Sequence, residues 1–300
     1  MTLVPGEIPG WVPRALGTAT SGLHRIPWGF TNETWTGTDP EGGRIVATLM
    51  TSPARARSVL ARAPAVAQLL TEVGLETPVP IPERSEPERA VIVHAWLDGI
   101  PGMIRLGEAD GPRAVGLAAG DAWRRLGDAD PANVDLDDLW ARPSALVAAA
   151  RRWLSGAQAD LSTSHVAIAA DRIDQLGGPE DGVRRFVHGD LVPANLLLRE
   201  GGPPVVLDLE TVRIGDPLLD AGWFSWIVRF HHPAAWQAAW GAFAEAAHLT
   251  DLDGAARARL LALPTARILE ILADRDLEQA ARGRWLEQLR ALADTPAALV

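Results

Sequence analysis

Short apolar runs with β-branched and aromatic residues recur in the first hundred positions of this 300-residue chain. The runs GFTNETWTG and RIVATLM predict a pair of strands, and AVIVHAW predicts another. An alanine- and arginine-rich segment from Ser52 to Val73 predicts a helix that Pro64 kinks or divides. The first part of the chain is therefore expected to be rich in sheet.

From about residue 112 the apolar positions change to three-to-four spacing, which predicts helices. The helical segments are GLAAGDAWRRL, SALVAAARRWL, SHVAIAADRIDQL, HPAAWQAAWGAFAEAA, LDGAARARLLAL, TARILEILADRD and EQAARGRWLEQLRALA. Among them, NLLLREGGPPVVLDLE predicts a short hairpin that turns at EGGPP. The linker LDGIPG separates the two patterns, so we place a boundary there, with one lobe at residues 1–98 and the other at residues 99–300. The predicted fold class is α+β, with a small sheet-rich N-terminal lobe and a larger helical C-terminal lobe.

Composition excludes several classes of protein. Hydrophobic residues make up 47% of the chain and charged residues 22%, as in globular proteins. No apolar run approaches the ~18 residues that span a bilayer, and the N-terminus has no secretion signal, so we expect no membrane partner and a cytoplasmic location. The chain contains no cysteine, which excludes disulfides and thiolate metal sites. A formal net charge of −10 argues against nucleic acid as the main partner, because phosphate binding needs a basic surface.

The segment HGDLVPANLLL, residues 188–198, carries the clearest chemical pattern. His188, Asp190 and Asn195 have the spacing of a kinase catalytic loop, in which the aspartate accepts the proton of an attacking hydroxyl. Asp208 ends the apolar run VVL, and the predicted hairpin brings Asn195 and Asp208 to the same end. Amide and carboxylate oxygens suit Mg²⁺. The alternative is a loop in which the aspartate caps a helix and the asparagine forms a turn.

The combination of HGDLVPAN with VVLDLETVRIGDPLLDAGW resembles the aminoglycoside phosphotransferase and choline kinase-like family of small-molecule kinases. The family pattern is HGDxxxxN, a strand ending in DxE, and GDPxxDLA, and this chain has Ala-Gly in place of the final Leu-Ala. The resemblance implies a bilobal protein-kinase-like fold and transfer of phosphate from ATP or GTP. It further implies that Asp190 is the catalytic base and that Asn195 and Asp208 are metal ligands. The implied supporting residues are His188, Glu210 and Asp216, and Asp216 braces the catalytic loop.

Two N-terminal segments resemble nucleotide-binding parts of the same family. The run from Gly29 to Trp35, which includes Asn32 and Thr34, is similar to a strand-turn-strand that covers the nucleotide phosphates. An ordinary hairpin is the alternative interpretation. VIVHAWLDGIPG resembles the hinge strand and linker, which implies that backbone groups from His94 to Trp96 contact the base.

The chain departs from the family at the phosphate-binding lysine. Thr48 or Leu49 stands where the family has Lys or Arg, and the chain contains no lysine at all. The helical segment PARARSVLARAPAVAQLL also lacks the glutamate that would pair with such a lysine. A guanidinium can replace an ammonium against phosphate. The candidate replacements are Arg44, Arg55, Arg57 and Arg62.

Four tryptophans at helical spacing allow two interpretations. Trp223, Trp226, Trp236 and Trp240 either line a pocket for the acceptor or belong to the core. The core is the more common place for such side chains.

These features predict a Mg²⁺-dependent phosphotransferase. Its partners are a nucleoside triphosphate, ATP or GTP, and a small hydroxylated acceptor such as an antibiotic, an amino sugar or a related metabolite. Two alternatives stay open: a catalytically silent kinase-like binding protein, and a choline or sugar kinase of primary metabolism. The sequence does not distinguish between acceptors.

Overall fold

An antiparallel sheet of four strands forms the beginning of the chain, in the spatial order β1-β2-β3-β4. The computed structural model describes residues 9–16, 23–26, 32–177, 184–274 and 277–295. The strands are β1 (His24–Arg25), β2 (Glu33–Thr38), β3 (Arg44–Leu49) and β4 (Val91–Ala95). The three strands predicted from the sequence are confirmed, although residues 29–31 of the first run lie outside the described residues.

The two faces of this sheet differ because successive side chains point to opposite sides of a strand. One face packs with the short helix α1 (Trp11–Leu16) through Trp35, Ile45, Ala47, Val91 and Val93. On the other face, Thr34 lies opposite Thr48, and their hydroxyl oxygens are 3.3 Å apart. His94 lies opposite Val46 on this same face. The sheet therefore has one apolar face and one face that carries hydroxyl groups and an imidazole.

Helix α2 (Pro53–Glu72) follows β3 and packs toward the rest of the molecule. Ser52 caps its first turn by accepting a hydrogen bond from the Arg55 backbone N–H at 3.3 Å. Pro64 lies inside one continuous helix, so the proline does not divide the helix. Val66 and Leu70 of α2 join a core cluster that also contains strand residues from beyond position 190. This packing brings α2 close to the segment with the catalytic motif.

Helices make up most of the remaining chain. They are α3 (Gly102–Arg105), α4 (Gly111–Asp128), α5 (Pro143–Ala157), α6 (Thr163–Asp174), α7 (Leu218–His231), α8 (Pro233–Ala246), α9 (Gly254–Leu272) and α10 (Gln279–Ala293). Each predicted helical segment is confirmed as helix, whereas α7 was not predicted. None of the helices in the described ranges combines the length and the apolar character needed to cross a bilayer.

The sequence predicted two helices where α9 is a single one. Pro264 separates the two predicted segments, yet the helix continues through it. Nearly all residues of its middle part, from 260 to 269, are buried, so tertiary packing offsets the hydrogen bond that the proline removes. Gly222 of α7 makes room for this contact, because a Cβ there would lie 2.6 Å from the Leu260 carbonyl oxygen and 3.1 Å from Pro264.

Helix α7 lies between two core clusters and contributes side chains to both. Ala221 and Phe224 belong to one cluster, and Trp223 and Trp226 belong to the other. Trp223 and Trp226 are 1% and 5% exposed, which favours the core interpretation of these side chains over a pocket lining. Trp236 and Trp240 of α8 are half-buried against the first cluster. A helix buried on all sides lacks an amphipathic pattern, which is why the spacing did not reveal α7.

Short strands flank the segment HGDLVPAN, residues 188–195. Strands β5 (Ile100–Pro101), β7 (Leu196–Leu198) and β8 (Val205–Val206) form one sheet, and β6 (Arg185–Val187) pairs with β9 (Arg213–Gly215). The predicted hairpin is confirmed as β7 and β8, whereas β9 was not predicted. The boundary between residues 98 and 99 stays a prediction, and it falls immediately before β5.

Candidate active site

The loop that follows β6 is held by an aspartate from α7. Asp220 accepts hydrogen bonds from the backbone N–H groups of His188 and Gly189, each at 2.7 Å. Gly189 has a φ of +79°, and a Cβ there would lie 2.5 Å from the Thr211 carbonyl oxygen, so the position requires glycine. Burial raises the pKa of Asp220, although the His188 ring and the two amide hydrogen bonds act in the opposite direction. Helix α7 therefore fixes the backbone of this loop directly.

The buried His188 ring uses both of its nitrogens within the protein. Nε2 donates to the Leu207 carbonyl oxygen at 2.8 Å, and Nδ1 accepts from the Asp190 backbone N–H at 3.2 Å. The Thr211 hydroxyl donates to the His188 carbonyl oxygen at 2.9 Å. These contacts place His188 between the end of β8 and Asp190, where it supports the loop.

Two side chains donate hydrogen bonds to the Asp190 carboxylate. The Trp223 Nε1–H donates to Oδ1 at 2.7 Å, and the Asn195 Nδ2 group donates to Oδ2 at 2.8 Å. The same Asn195 nitrogen also donates to the Asp190 carbonyl oxygen at 2.9 Å. Because the Asn195 nitrogen is turned toward Asp190, its Oδ1 atom is the one that can serve as a ligand for a cation.

The β7–β8 hairpin brings Asn195 and Asp208 together, as its predicted geometry requires. Leu196 pairs with Val206, and the Leu207 N–H donates to the Asn195 carbonyl oxygen at 2.9 Å. Asp208 follows at once, in the left-handed region with a φ of 59°. Asn195 accepts the last hydrogen bond of the ladder, and Asp208 directly follows its donor, so the two residues lie at the same end of the hairpin.

Carboxylates cluster around Asp208 and repel its negative charge. Burial raises the pKa of Asp208, and the charges of Glu210 and Asp190 raise it further. Glu210 Oε2 is buried and has no hydrogen-bond partner among the described residues. A bound divalent cation removes repulsion of this kind. The oxygen donors of Asp208 and Asn195 fit Mg²⁺.

Such a site would depend on more than protein side chains. Within the described ranges, no three His, Cys, Asp or Glu side chains are grouped as ligands for a metal ion. Mg²⁺ is commonly held by one or two carboxylates together with substrate phosphates and water. Asp208 and the Asn195 amide therefore suit a cation that arrives with a nucleotide.

The four candidate arginines occupy two different environments. Arg44 stacks on Trp96 at 3.9 Å and Arg57 pairs with Glu88 at 2.8 Å, both with exposed side chains. Arg55 and Arg62 of α2 instead point toward the segment that follows Asp208.

Arg62 makes the closer approach to this segment. Its Nη2 donates to the Leu209 carbonyl oxygen at 3.1 Å and to the Glu210 carbonyl oxygen. The Arg62 Nε atom is buried without a partner among the described residues. Burial lowers the pKa of the Arg62 guanidinium, and the charge of Glu210 acts in the opposite direction. Arg55 Nη1 lies 3.8 Å from Glu210 Oε1, and Arg55 also pairs with Asp274 at 3.2 Å. Helix α2 thus directs positive charge to the segment where the family pattern has DxE.

A second group of arginines, from β9 and α9, gathers around Glu270. Arg213 of β9 donates to both oxygens of Glu270, at 2.9 and 3.1 Å, and Arg267 of α9 pairs with the same carboxylate. Burial opposes the charge of Arg267, but Glu270, Asp190 and Glu210 together raise its pKa. The C-terminal helices therefore add a buried positive charge near Asp190, from sequence positions that carry no motif.

Asp216 has contacts different from the ones expected. Its Oδ1 accepts from the Leu218 N–H at 2.9 Å at the start of α7, and its Oδ2 accepts from Arg259 of α9 at 2.6 and 2.8 Å. Asp216 therefore ties α7 to α9, while Asp220 of the same helix binds the backbone N–H groups of His188 and Gly189. The final aspartate of the GDPxxD pattern was the sequence signal for this role.

The residues expected to contact the nucleotide lie at the sheet. Asn32 Oδ1 is buried without a partner in the described part of the chain, and Thr34 contacts Thr48 as described above. The glycine, phenylalanine and threonine that precede Asn32 are outside the described residues. Thr48 stands on β3 opposite Thr34, so this face of the strand carries a neutral hydroxyl.

The backbone at the end of β4 is paired on both of its edges. The Trp96 N–H donates to the Arg44 carbonyl oxygen at 2.9 Å, so it is occupied by β3. His94 pairs with Val46 on that same edge. Because peptide groups alternate along a strand, the N–H and C=O of Ala95 point away from β3. On that outer edge, Pro80 bridges His94, the Ile81 N–H donates to the Val93 carbonyl oxygen at 2.6 Å, and the Ala95 carbonyl oxygen lies 3.4 Å from the His94 ring.

A small antiparallel sheet beside a helical body, with an Asp–Asn loop and a DxE segment between them, defines a kinase-like small-molecule phosphotransferase. The chain belongs to the APH phosphotransferase enzyme family, whose sequence profile matches residues 22–261. A search of curated protein sequences found no significant match.

Solved structures of similar fold include antibiotic phosphotransferases. The apoenzyme of macrolide 2'-phosphotransferase MphH from Brachybacterium faecium is 21% identical, with a TM-score of 0.59 over 93% of this chain and 94% of that one. A thermostable mutant of APH(4)-Ia with ADP and hygromycin B is 16% identical, with a TM-score of 0.65 over 94% and 96%. The GDP and kanamycin complex of APH(2")-IIia is 14% identical, with a TM-score of 0.70 over 94% and 97%. These similarities confirm the protein-kinase-like fold.

The environment of His94 predicts a pH dependence of stability. Burial lowers the pKa of His94 to about 4 from its ordinary 6.5, although a contact with the Ala95 carbonyl oxygen acts the other way. The charged ring is disfavoured only in the folded protein, so stability present above pH 6.5 is lost as the pH falls toward 4. Between about pH 7 and pH 4.5, the unfolding free energy of His94→Gln should fall by ~1–3 kcal/mol less than that of the wild type.

Denaturant unfolding at the two pH values measures this effect. His24→Gln, at an exposed strand position, is the matched control and should keep the wild-type dependence. An equal loss of stability in wild type and His94→Gln would contradict the prediction.

Proposed function

We propose that this chain is a Mg²⁺-dependent O-phosphotransferase that moves the γ-phosphate of ATP or GTP to a hydroxyl group of a small molecule. The observation that carries the proposal is the contact between Asn195 and Asp190, in which one amide orients a carboxylate and keeps its oxygen for a cation. A carboxylate beside an oxygen-ligand site is what phosphoryl transfer to a hydroxyl needs. These contacts also argue against the alternative of a helix-capping aspartate and a turn-forming asparagine.

In the proposed reaction, Asp190 is the catalytic base. It accepts the proton of the acceptor hydroxyl while that oxygen forms a bond to the γ-phosphorus. The bond from the γ-phosphorus to the bridging oxygen breaks, and the nucleoside diphosphate leaves with the electron pair. Asp190 then returns its proton to solvent, which restores the starting state.

Asp208 and Asn195 are the proposed ligands of Mg²⁺. When bound, Mg²⁺ neutralises phosphate oxygens and the charge that develops on them. The raised pKa of Asp208 and the unpartnered Glu210 oxygen support this assignment, because both are relieved by a cation. Glu210 is proposed as a supporting residue through its charge and its contact with α2, together with His188 and Asp216.

The nucleotide is proposed to lie between the sheet and the hairpin. Asn32 and Thr34 would be near its phosphates, and the backbone around His94 to Trp96 would meet its base. Arg62 is the proposed replacement for the missing lysine. It contacts the two carbonyl groups that follow Asp208, so its charge lies beside the proposed metal ligand.

The acceptor is proposed to be a hydroxylated antibiotic such as an aminoglycoside, an amino sugar or a related metabolite. The structurally similar enzymes support this acceptor class, since one is a macrolide 2'-phosphotransferase and two are bound to hygromycin B or kanamycin. The retained base and ligand geometry favours an enzyme over a silent binding protein. Screening nucleotide consumption across a panel of hydroxylated compounds tests the proposal, and no turnover with any acceptor would count against it.

Asp190→Ala tests the base. Removing the carboxylate should lower kcat by about 10²–10⁴, the usual contribution of general-base catalysis. The nucleotide Kd should change little, because the metal ligands stay in place. Steady-state kinetics and calorimetry measure the two quantities, and turnover within a few-fold of wild type would show that Asp190 is not the base.

Asp208→Ala tests the metal site. We expect Mg²⁺ to strengthen nucleotide binding to the wild type and to have no such effect on this variant. Asp174→Ala is the matched control, because Asp174 is exposed and its carboxylate forms a surface ion pair with Arg151 at 2.7 Å. Calorimetry with and without Mg²⁺ decides the matter, and an unchanged Mg²⁺ effect in Asp208→Ala would remove this residue from the ligand set.

Single alanine variants of the four arginines test the replacement of lysine. Hydrogen bonds that involve a charged group contribute roughly 1.5–3 kcal/mol, so Arg62→Ala should raise the nucleotide KM about 10- to 100-fold. Arg57→Ala is the control and should have almost no effect, since exposed ion pairs contribute little. Four near-neutral variants would show that the phosphates are held by Mg²⁺ and backbone groups alone.

A further inference from the structure

The indole of Trp223 makes a direct contact with the proposed base. Its Nε1–H donates to Asp190 Oδ1 at 2.7 Å, which is short for a hydrogen bond from a neutral nitrogen. An indole N–H is a donor only, so its role in this contact cannot reverse. The contact therefore imposes one fixed direction on that carboxylate oxygen.

The surroundings of Trp223 hold the indole in place. The side chain is 1% exposed and stacks on Trp285 of α10, with ring centroids 5.8 Å apart and planes at 23°. A buried and stacked ring has little freedom to turn, so its N–H stays directed at Asp190. Rigid support of this kind is what keeps a reactive group in a productive orientation.

Trp223 also shares one helical turn with the residue that anchors the loop. Asp220 and Trp223 are three positions apart on α7, which places them on the same side of the helix. Asp220 binds the backbone N–H groups of His188 and Gly189, while Trp223 binds the side chain of the next residue. The loop and its carboxylate are therefore both positioned by a single turn of α7.

The geometry of the carboxylate leaves room for a substrate hydroxyl. Asn195 occupies one position on Oδ2 and Trp223 occupies one position on Oδ1. A carboxylate has about four lone-pair positions, so each oxygen retains the capacity to accept a further hydrogen bond. With donors on both oxygens, rotation of the carboxylate would break two contacts at once.

We infer that Trp223 is a positioning residue for phosphoryl transfer, whose indole N–H holds the Asp190 carboxylate in the orientation that accepts the proton of the acceptor hydroxyl. This inference rests on the proposed function of Asp190 as the base. Trp223 acts through Asp190 and need not touch either substrate.

Kinetics of Trp223→Phe test the inference against a matched variant. Trp226→Phe lies one turn further along α7 and also removes a buried indole N–H, which there donates to Gln288 at 3.2 Å. We expect Trp223→Phe to lower kcat about 10- to 100-fold with the nucleotide KM changed by less than about threefold. Trp226→Phe should keep kcat within about threefold of wild type. Equal losses of kcat in both variants, or a change confined to KM, would overturn the inference.

Indole N–H resonances give a readout that does not depend on activity. In ¹H–¹⁵N spectra, Trp223→Phe identifies the Trp223 signal, and Trp223→Tyr identifies it where the phenylalanine variant does not fold. In a third variant, Asp190→Ala, we expect this signal to shift more than any other indole signal, including the one removed by Trp226→Phe. An unmoved Trp223 signal would disprove the contact even in an active enzyme.

The two measurements separate the inference from the proposed function. If no acceptor supported turnover but the Trp223 signal moved in Asp190→Ala, the contact would stand and the proposed reaction would fall. If turnover depended on Asp190 but Trp223→Phe behaved like Trp226→Phe, the reaction would stand and the positioning role would fall.

Discussion

Mutual repulsion among carboxylates is the constraint on which the rest of the site depends. Asp190, Asp208 and Glu210 lie close enough for the first and last to raise the pKa of Asp208, in surroundings that already disfavour its charge. Carboxylates brought together in this way need positive charge nearby. The protein supplies part of it from two directions, with Arg62 on α2 and Arg267 on α9. A cation bound by Asp208, as proposed above, would relieve the repulsion further.

Helix α7 gives this charged centre its rigidity. It is buried between two core clusters, and it presents Asp220 to the loop backbone and Trp223 to the carboxylate. Asp216 fixes the beginning of the same helix to Arg259 of α9. The two side chains that fix the loop and the Asp190 carboxylate, Asp220 and Trp223, are thus both carried by a deeply buried helix.

Much of the fold and the central motif could be predicted because local signals were strong there. The short β-branched, aromatic and apolar runs predicted β2, β3 and β4, and the turn at EGGPP predicted the hairpin that joins Asn195 to Asp208. Helix α7 was missed because burial on all sides removes the amphipathic pattern. Helix α9 was divided at Pro264 because local preference ignores the packing around Gly222.

The contacts of the site were harder to predict because they join residues far apart in sequence. Trp223 and Asp190 are separated by 33 positions, and Arg62 and Leu209 by 147. Nothing in local spacing distinguishes the indole that meets Asp190 from the one that meets Gln288. The role of Asp220 could have been found, since the GDPxxD pattern contains it.

The hydroxyl of Thr48 on β3 changes how the site can be labelled chemically. Reagents that attach nucleotide analogues to proteins by acylating or sulfonylating an amine require a lysine side chain near the phosphates. This chain contains none, and Thr48 pairs with the hydroxyl of Thr34 instead. Guanidinium groups such as that of Arg62 stay protonated at ordinary pH and are poor nucleophiles. The polar face of the sheet therefore offers no side-chain amine for covalent capture of a nucleotide.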